Sequence, residues 1–140
     1  MAVYNKFNAF VSDVLKGVHN FTSDSTCTVT VALSPESNAP LATNSVLADI
    51  TQISYTNLSS RIITGVTANQ VSGTATLTSN DLVLSASGTV AAFRYLILYN
   101  ADPVSPLNPL IGWYDYGSNL VLSNGDSLTI DFTVGFATLT

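Results

Sequence analysis

The chain is 140 residues long, enough for one hydrophobic core, and carries a net charge of −5 from four Lys and Arg against nine Asp and Glu. The four basic residues, Lys6, Lys16, Arg61 and Arg94, are scattered and cannot neutralise a row of phosphates, which argues against nucleic acid as a partner. One cysteine, Cys27, excludes an intrachain disulfide and fits a reducing compartment, and no apolar run approaches the roughly 20 residues of a membrane helix, so no membrane partner is expected.

Charged residues make up only 9% of the sequence, against about a quarter in ordinary soluble domains. Ser, Thr and Asn take their place. Burying a hydroxyl or an amide costs far less than burying an ion, so such a surface suits a protein whose outside is covered by partners.

Taken in chain order, residues 3–18 predict a helix. Tyr4, Phe7, Val11, Val14, Leu15 and Val18 form a stripe about 100° wide, with Phe10 at its edge. Lys6, Ser12, Asp13 and Lys16 lie opposite, and Gly17 with His19-Asn20 ends the pattern. Two uses fit: a helix packed on its own core, or an arm that docks on a neighbouring subunit. The width of the stripe favours residues 1–20 as an arm outside a β domain formed by residues 21–140. The first twenty residues do not read as a signal peptide, because Lys6, Asp13 and Lys16 interrupt the apolar positions.

From Thr26 the period becomes two. Cys27, Val29, Val31 and Leu33 alternate with Thr26, Thr28, Thr30 and Ala32, which predicts a half-buried strand. Pro35 and Pro40 mark a loop, and Val46, Leu47, Ile50 and Ile53 predict a short helix over 44–53. Residues 55–66 and 74–86 read as strands, the second broken at Ser79-Asn80-Asp81. Residues 90–100 are apolar on both parities, with Phe93, Tyr95, Ile97 and Tyr99 on one and Leu96 and Leu98 on the other, which predicts a central strand buried on both faces. Pro103, Pro106 and Pro109 predict an extended, stiff loop over 101–109, followed by a strand over 110–116. Asn124-Gly125 predicts a hairpin between 119–122 and 127–134, and residues 136–140 a last edge strand. The sum is an all-β, two-sheet sandwich or jelly roll of seven or eight strands with one N-terminal helix, a single domain overall.

The reactive side chains are sparse. His19 follows the helix, where interaction with helix-end carbonyls is the ordinary role. Cys27 sits on the apolar parity of its strand, as an inert core thiol would. Zinc would need further Cys or His. The closest acidic pair, Asp126 and Asp131, matches no known calcium loop, and Asp126 is placed to serve its turn. No catalytic residue, metal site or cofactor is expected, and the chain does not read as an enzyme. Asn20-Phe21-Thr22 and Asn57-Leu58-Ser59 match the glycosylation pattern, but with no signal peptide they read as chance matches. The densest constellation is Gly112-Trp113-Tyr114-Asp115-Tyr116-Gly117. In a strand Trp113 faces one way and Tyr114 and Tyr116 the other. That pattern serves as ordinary core, as an anchor at a protein interface, or as a platform for sugars.

Several segments together resemble small structural proteins of tailed bacteriophages. They are Phe93-Arg94-Tyr95-Leu96-Ile97-Leu98-Tyr99-Asn100 with the Pro-rich loop, Pro109 to Gly117, and Leu122 to Phe132. Tyr4-Asn5-Lys6-Phe7, Val18-His19-Asn20 and Ala48 to Ile53 extend the likeness over nearly the whole chain. Within that group, size and content are most similar to the jelly-roll capsid cement, or decoration, proteins. The resemblance implies a structural virion protein on the capsid exterior, made in the host bacterial cytoplasm, that bridges neighbouring major capsid proteins, stabilises the shell and associates with itself as a homo-oligomer. A tail or baseplate component and a carbohydrate-binding β-sandwich are the alternatives. The candidate interface residues are Tyr4, Phe7, Phe10, Pro103, Pro106, Asn108, Trp113, Tyr114 and Tyr116.

Overall fold

The computed structural model describes residues 2–22, 28–132 and 135–140. The N-terminal pattern divides in two: a strand β1 (Val3–Lys6) and a shorter helix α1 (Asn8–Leu15). There follow β2 (Val29–Ser34), a single 3₁₀ turn (Leu47–Asp49), β3 (Thr67–Val71), β4 (Thr74–Thr78) and β5 (Leu82–Ser85). The chain ends with β6 (Phe93–Asn100), β7 (Leu110–Leu120), β8 (Ser127–Ile130) and β9 (Ala137–Leu139). No helix among the described residues is long and apolar enough to cross a membrane.

Among the described residues nine strands form three antiparallel sheets, ordered β1-β7-β6-β2, β3-β4-β9 and β5-β8. The four-stranded sheet is one layer, and the two smaller sheets cover one of its faces. Their joint core holds Val31, Leu33, Leu96, Leu98 and Ile111 from the large sheet, with Leu77 and Ala137 from one small sheet and Leu84 and Ile130 from the other. The opposite face of the large sheet carries a second cluster: Ala32, Tyr95, Ile97, Tyr99 and Leu110 under Phe7 and Ile50, with Leu47 and Trp113 packed on it.

Burial on both faces explains the apolar run in β6, every residue of which is buried except the half-buried Arg94. A register shift between Phe93 and Tyr95 turns Phe93 into the main core although it shares sequence parity with Tyr95. The same burial corrects β2. All six of its residues are buried, because the 35–53 segment covers its polar parity, where Ser34 Oγ donates to the carbonyls of Asn38 (2.9 Å) and Thr51 (2.7 Å). The expected start of this strand at Thr26 and Cys27 lies outside the described residues.

The long N-terminal helix is the largest correction. Val3–Lys6 pairs with β7, Tyr4 opposite Tyr114 and Lys6 opposite Gly112. Phe7, between strand and helix, enters the second cluster, and Phe10 enters the main core. The helix turns Phe10 and Asp13 inward, while Leu15 of the expected stripe is 86% exposed. The chain leaves the helix at Gly17, whose φ of +73° suits a residue without a Cβ. Residues 3–10 are thus built into the sandwich, and the arm expectation does not hold.

Other elements differ from expectation for local reasons. Residues 55–66 form no strand. They run along sheet edges through single bridges, Leu58 to Ala86 and Ile62 to Thr30. The 44–53 helix shrinks to the Leu47–Asp49 turn, held by the Asp49 carboxylate on the Ser45 (2.8 Å) and Val46 (3.2 Å) amides. The β3–β4 hairpin was not predicted; it turns at Ser72-Gly73, both at positive φ. Asn124-Gly125 does turn, but its arms do not pair with each other: β8 pairs with β5, and Leu122 accepts from the Val90 amide instead. The 101–109 loop is not extended. Val104 bridges Leu107 around a cis Ser105–Pro106 peptide.

Because Phe10 is 2% exposed, Phe10→Ala is expected to lower the unfolding free energy by about 3–5 kcal/mol. Leu15→Ala should stay within about 0.5 kcal/mol. Urea titrations followed by circular dichroism measure both, and deletion of residues 2–18 should abolish the cooperative transition.

Candidate functional site

Among the described residues no three His, Cys, Asp or Glu side chains stand together as a metal ion would need. Asp126 closes its turn by accepting the Ser123 amide at 2.8 Å, while Asp131 follows the end of β8 and lines a cleft. Cys27 lies outside the described residues.

His19 does not cap the helix. Its ring stacks on Phe21 at 5.3 Å and meets the edge of Phe10 at 5.3 Å. Nδ1 accepts from Asn100 Nδ2 at 3.3 Å, and Nε2 is buried without a hydrogen bond. Burial pulls the imidazole pKa down to about 4, against an opposing pull from Asp13. This is a neutral packing histidine.

The Gly112–Gly117 segment falls within β7, with Trp113 on one face and Tyr114 and Tyr116 on the other, as its alternation predicts. Gly112 is required here, because a Cβ would lie 2.4 Å from the Tyr4 ring and 2.7 Å from the Asn5 carbonyl. Trp113 is half-buried and packs against Phe7 at 4.5 Å. Tyr114 donates its hydroxyl to the Phe136 carbonyl, tying β7 to the layer below. Burial pushes its pKa up to about 12 and also raises that of Tyr116. Tyr4 lies 5.6 Å from Tyr114; its hydroxyl is buried near the Thr138 backbone without a hydrogen bond of ordinary geometry, and its pKa rises further. Asp115 holds Arg94 through two hydrogen bonds, at 2.7 and 3.0 Å, and Arg94 also binds Glu36 at 2.9 Å. Arg94 keeps the Asp115 carboxyl below the usual carboxylate range.

The structure therefore separates the nine candidate interface residues. Phe7 and Phe10 are fully enclosed, so they offer nothing to a partner. Tyr4, Tyr114, Tyr116 and Trp113 are half-buried. Pro103, Pro106 and Asn108 sit on the 101–109 loop, which is tied to a neighbouring loop: the Leu47 amide donates to the Asn108 carbonyl and the Leu110 amide to the Ser45 carbonyl, both at 3.0 Å. These paired loops present three apolar side chains that the candidate set omits: Val104 at 84% exposure, Leu107 at 62% and Leu41 at 62%. The signal was legible, since Val104 and Leu107 are the large apolar residues between the three prolines.

A second feature is a cleft of about 260 Å³ where β7 meets the end of β8. Tyr114, Tyr116 and Leu96 line it from the large sheet, with Ile130, Asp131 and Phe132 opposite. No family model, curated protein or solved structure matches the chain.

Stability is expected to be level in His19's contribution above pH ~6.5 and to fall as the pH drops from about 6.5 to about 4. In that window the unfolded chain takes up a proton that the buried ring refuses. His19→Gln should flatten this part of the profile, whereas the fall from Asp49 and Asp115, whose folded pKa values are lowered, belongs to more acid solution. Thermal melts between pH 4 and 8 read the difference.

Proposed function

We propose that the protein is a structural component of a tailed-phage particle, a cement protein that binds the capsid exterior, bridges neighbouring major capsid proteins and associates with its own copies. The task is mechanical rather than enzymatic. The observation that carries this reading is the pair of hydrogen-bonded loops whose exposed tips are apolar, Leu41, Val104 and Leu107, on a chain that is only 9% charged. Apolar tips on loops already fixed by backbone hydrogen bonds dock with little loss of conformational freedom. The likeness of the segments from Tyr4 to Phe132 to small phage structural proteins supports the same reading.

A cement needs modest contacts repeated many times. One standard interface buries about 1,600 Å². A copy already held on one capsid subunit engages the next at high effective concentration. The packed sandwich beneath the loops would transmit load between those contacts, because close-packed interiors have low compressibility.

Particles lacking the protein are expected to assemble but to release DNA at lower temperature, read by dye access during a thermal ramp. Copy number by quantitative mass spectrometry tests the location: hundreds per particle support the capsid, a few dozen or fewer a tail. Val104→Ser with Leu107→Ser should weaken capsid binding about tenfold or more while leaving the melt of the free protein unchanged, since both side chains are exposed. These are cleaner probes than Asn108, whose φ of +50° makes Asn108→Ala a backbone change as well.

A further inference from the structure

The sheet edges differ in how they are closed. Residues 61–63 run along β2, with the Val31 amide donating to the Arg61 carbonyl and the Ile63 amide to the Val29 carbonyl, both at 2.9 Å. Ser59 closes β5: its amide donates to the Ser85 carbonyl at 3.0 Å, and its hydroxyl accepts from the Ser85 amide at 2.9 Å. On β1 the Asn5 side chain takes the Val3 carbonyl at 3.1 Å, beside Lys6, and the Tyr4 hydroxyl lies near the Thr138 backbone of β9. β8 is four residues long between Asp126 and Asp131. β3 has no such cover among the described residues. It is five residues long and exposed from Ala68 to Val71, and residues 62–80 contain no charged side chain and no proline. Proteins ordinarily blunt such an edge with Lys, Pro or a bulge. We infer that β3 pairs with β3 of a second copy of this chain, antiparallel and about a two-fold axis through Asn69.

The register follows from the strand's own geometry. The two-residue Ser72-Gly73 turn makes Val71 and Thr74 a hydrogen-bonded pair. The N–H and C=O groups of Thr67, Asn69 and Val71 therefore face β4, and those of Ala68 and Gln70 face away. Leu77, opposite Ala68, obeys the same alternation: its carbonyl turns from β3 and accepts from the Phe136 amide at 2.8 Å. With the axis at Asn69, Ala68 of each copy stands opposite Gln70 of the other, and every open N–H meets an open C=O. A one-residue slip would set open groups against groups already bonded to β4. Thr67 stands opposite Val71 and Asn69 opposite itself, so no like charges meet although each chain carries −5. The ends fit as well. An open groove of about 540 Å³ lies between Phe21-Thr22 and Thr67–Asn69, and the antiparallel register carries the second copy's Val71, 74% exposed in the free chain, to that groove. The strand is thus its own complement, and pairing consumes the edge in both copies, so association stops at a closed dimer. This gives a surface to the self-association proposed above and rests on that part of it alone; capsid binding is assigned to other residues and is read by the loop variants.

The test is sedimentation velocity of the full chain. A reversible monomer–dimer equilibrium is expected between about 10 and 500 µM, since one strand pair is a small interface. Asn69→Lys gives up only a long bond to Thr78 Oγ1, at 3.4 Å, and sets two ammonium groups face to face across the axis. It should weaken the dimer at least about fivefold while leaving the melt of the dilute chain unchanged, and Asn69→Asp should do the same. An equimolar mixture of these two variants should associate more tightly than either alone, because the axis then sets opposite charges against each other. Ala68→Pro removes an outward N–H, leaves the bonds to β4 in place, and should weaken the dimer about tenfold or more. If Ala68→Pro lowers the melt of the dilute chain, the Asn69 variants decide alone. A chain that stays monomeric throughout that range, a dimer indifferent to both Asn69 variants, or a mixture no tighter than its components would each overturn the inference.

Discussion

The double burial of β6 is the constraint on which the remaining structure depends. A strand that shows apolar side chains to both sides needs two covers, and this chain supplies two different ones. The β3-β4-β9 and β5-β8 sheets cover one face, and Phe7 with the loop that follows β2 covers the other. The second cover is irregular and would be expensive if its backbone groups were unpaired. They are paired through Ser34, Asp49 and the Asn108 carbonyl, so a loop does the work of a layer. The exposed tips at Leu41, Val104 and Leu107 belong to that same loop system. These exposed tips are therefore held by the same hydrogen bonds that let the loops cover β6.

Much of the β architecture was legible in the sequence, and the misreadings share a cause. Alternation predicts β2, apolar residues on both parities predict β6, and strands are also expected where β4, β5, β7, β8 and β9 lie, because each buries at least one face against a neighbour. The helix over 3–18 was overextended because Tyr4, Phe7 and Val11 keep a spacing near 3.6, with Phe10 at the edge of that stripe, while Tyr4, Phe7 and Phe10 serve three separate parts of the fold. Tyr4 is on a strand, Phe7 is on a connection facing the second cluster, and Phe10 is on a helix facing the first. Periodicity records spacing and carries no information about which face of a sheet a residue meets. The Asn124-Gly125 signal was local and correct as a turn, but partner choice was decided by the covering sheets, where Leu84 faces Leu128 across β5 and β8. β3 escaped notice because Thr67–Val71 has little apolar content and is largely exposed, so burial left no pattern to read.

The candidate site was half legible. The opposed faces of Trp113 and Tyr114 followed from strand geometry alone. Which face was sealed did not. Trp113 meets Phe7, more than a hundred residues earlier in the chain, and Tyr114 meets Phe136, just before β9 of a different sheet. The cleft is more remote still from sequence, since it is lined by Tyr116 of β7 and by Asp131 after β8, and those strands belong to different sheets.

The order of strands in the large sheet also bears on how the chain reaches this state during synthesis. Of its three pairings only β6 with β7 joins sequence neighbours. β1 waits for Asp115 opposite Val3, and β2 waits for Asn100 opposite Val29. On a ribosome about four-fifths of the chain must therefore emerge before the first strand finds its place. Topologies dominated by such distant pairings fold in milliseconds to seconds, far slower than helical domains of similar size. During that interval a nascent segment as apolar as β2, with few charges nearby to keep copies apart, is exposed to others like it on neighbouring ribosomes. The distant pairings set how long that segment stays uncovered.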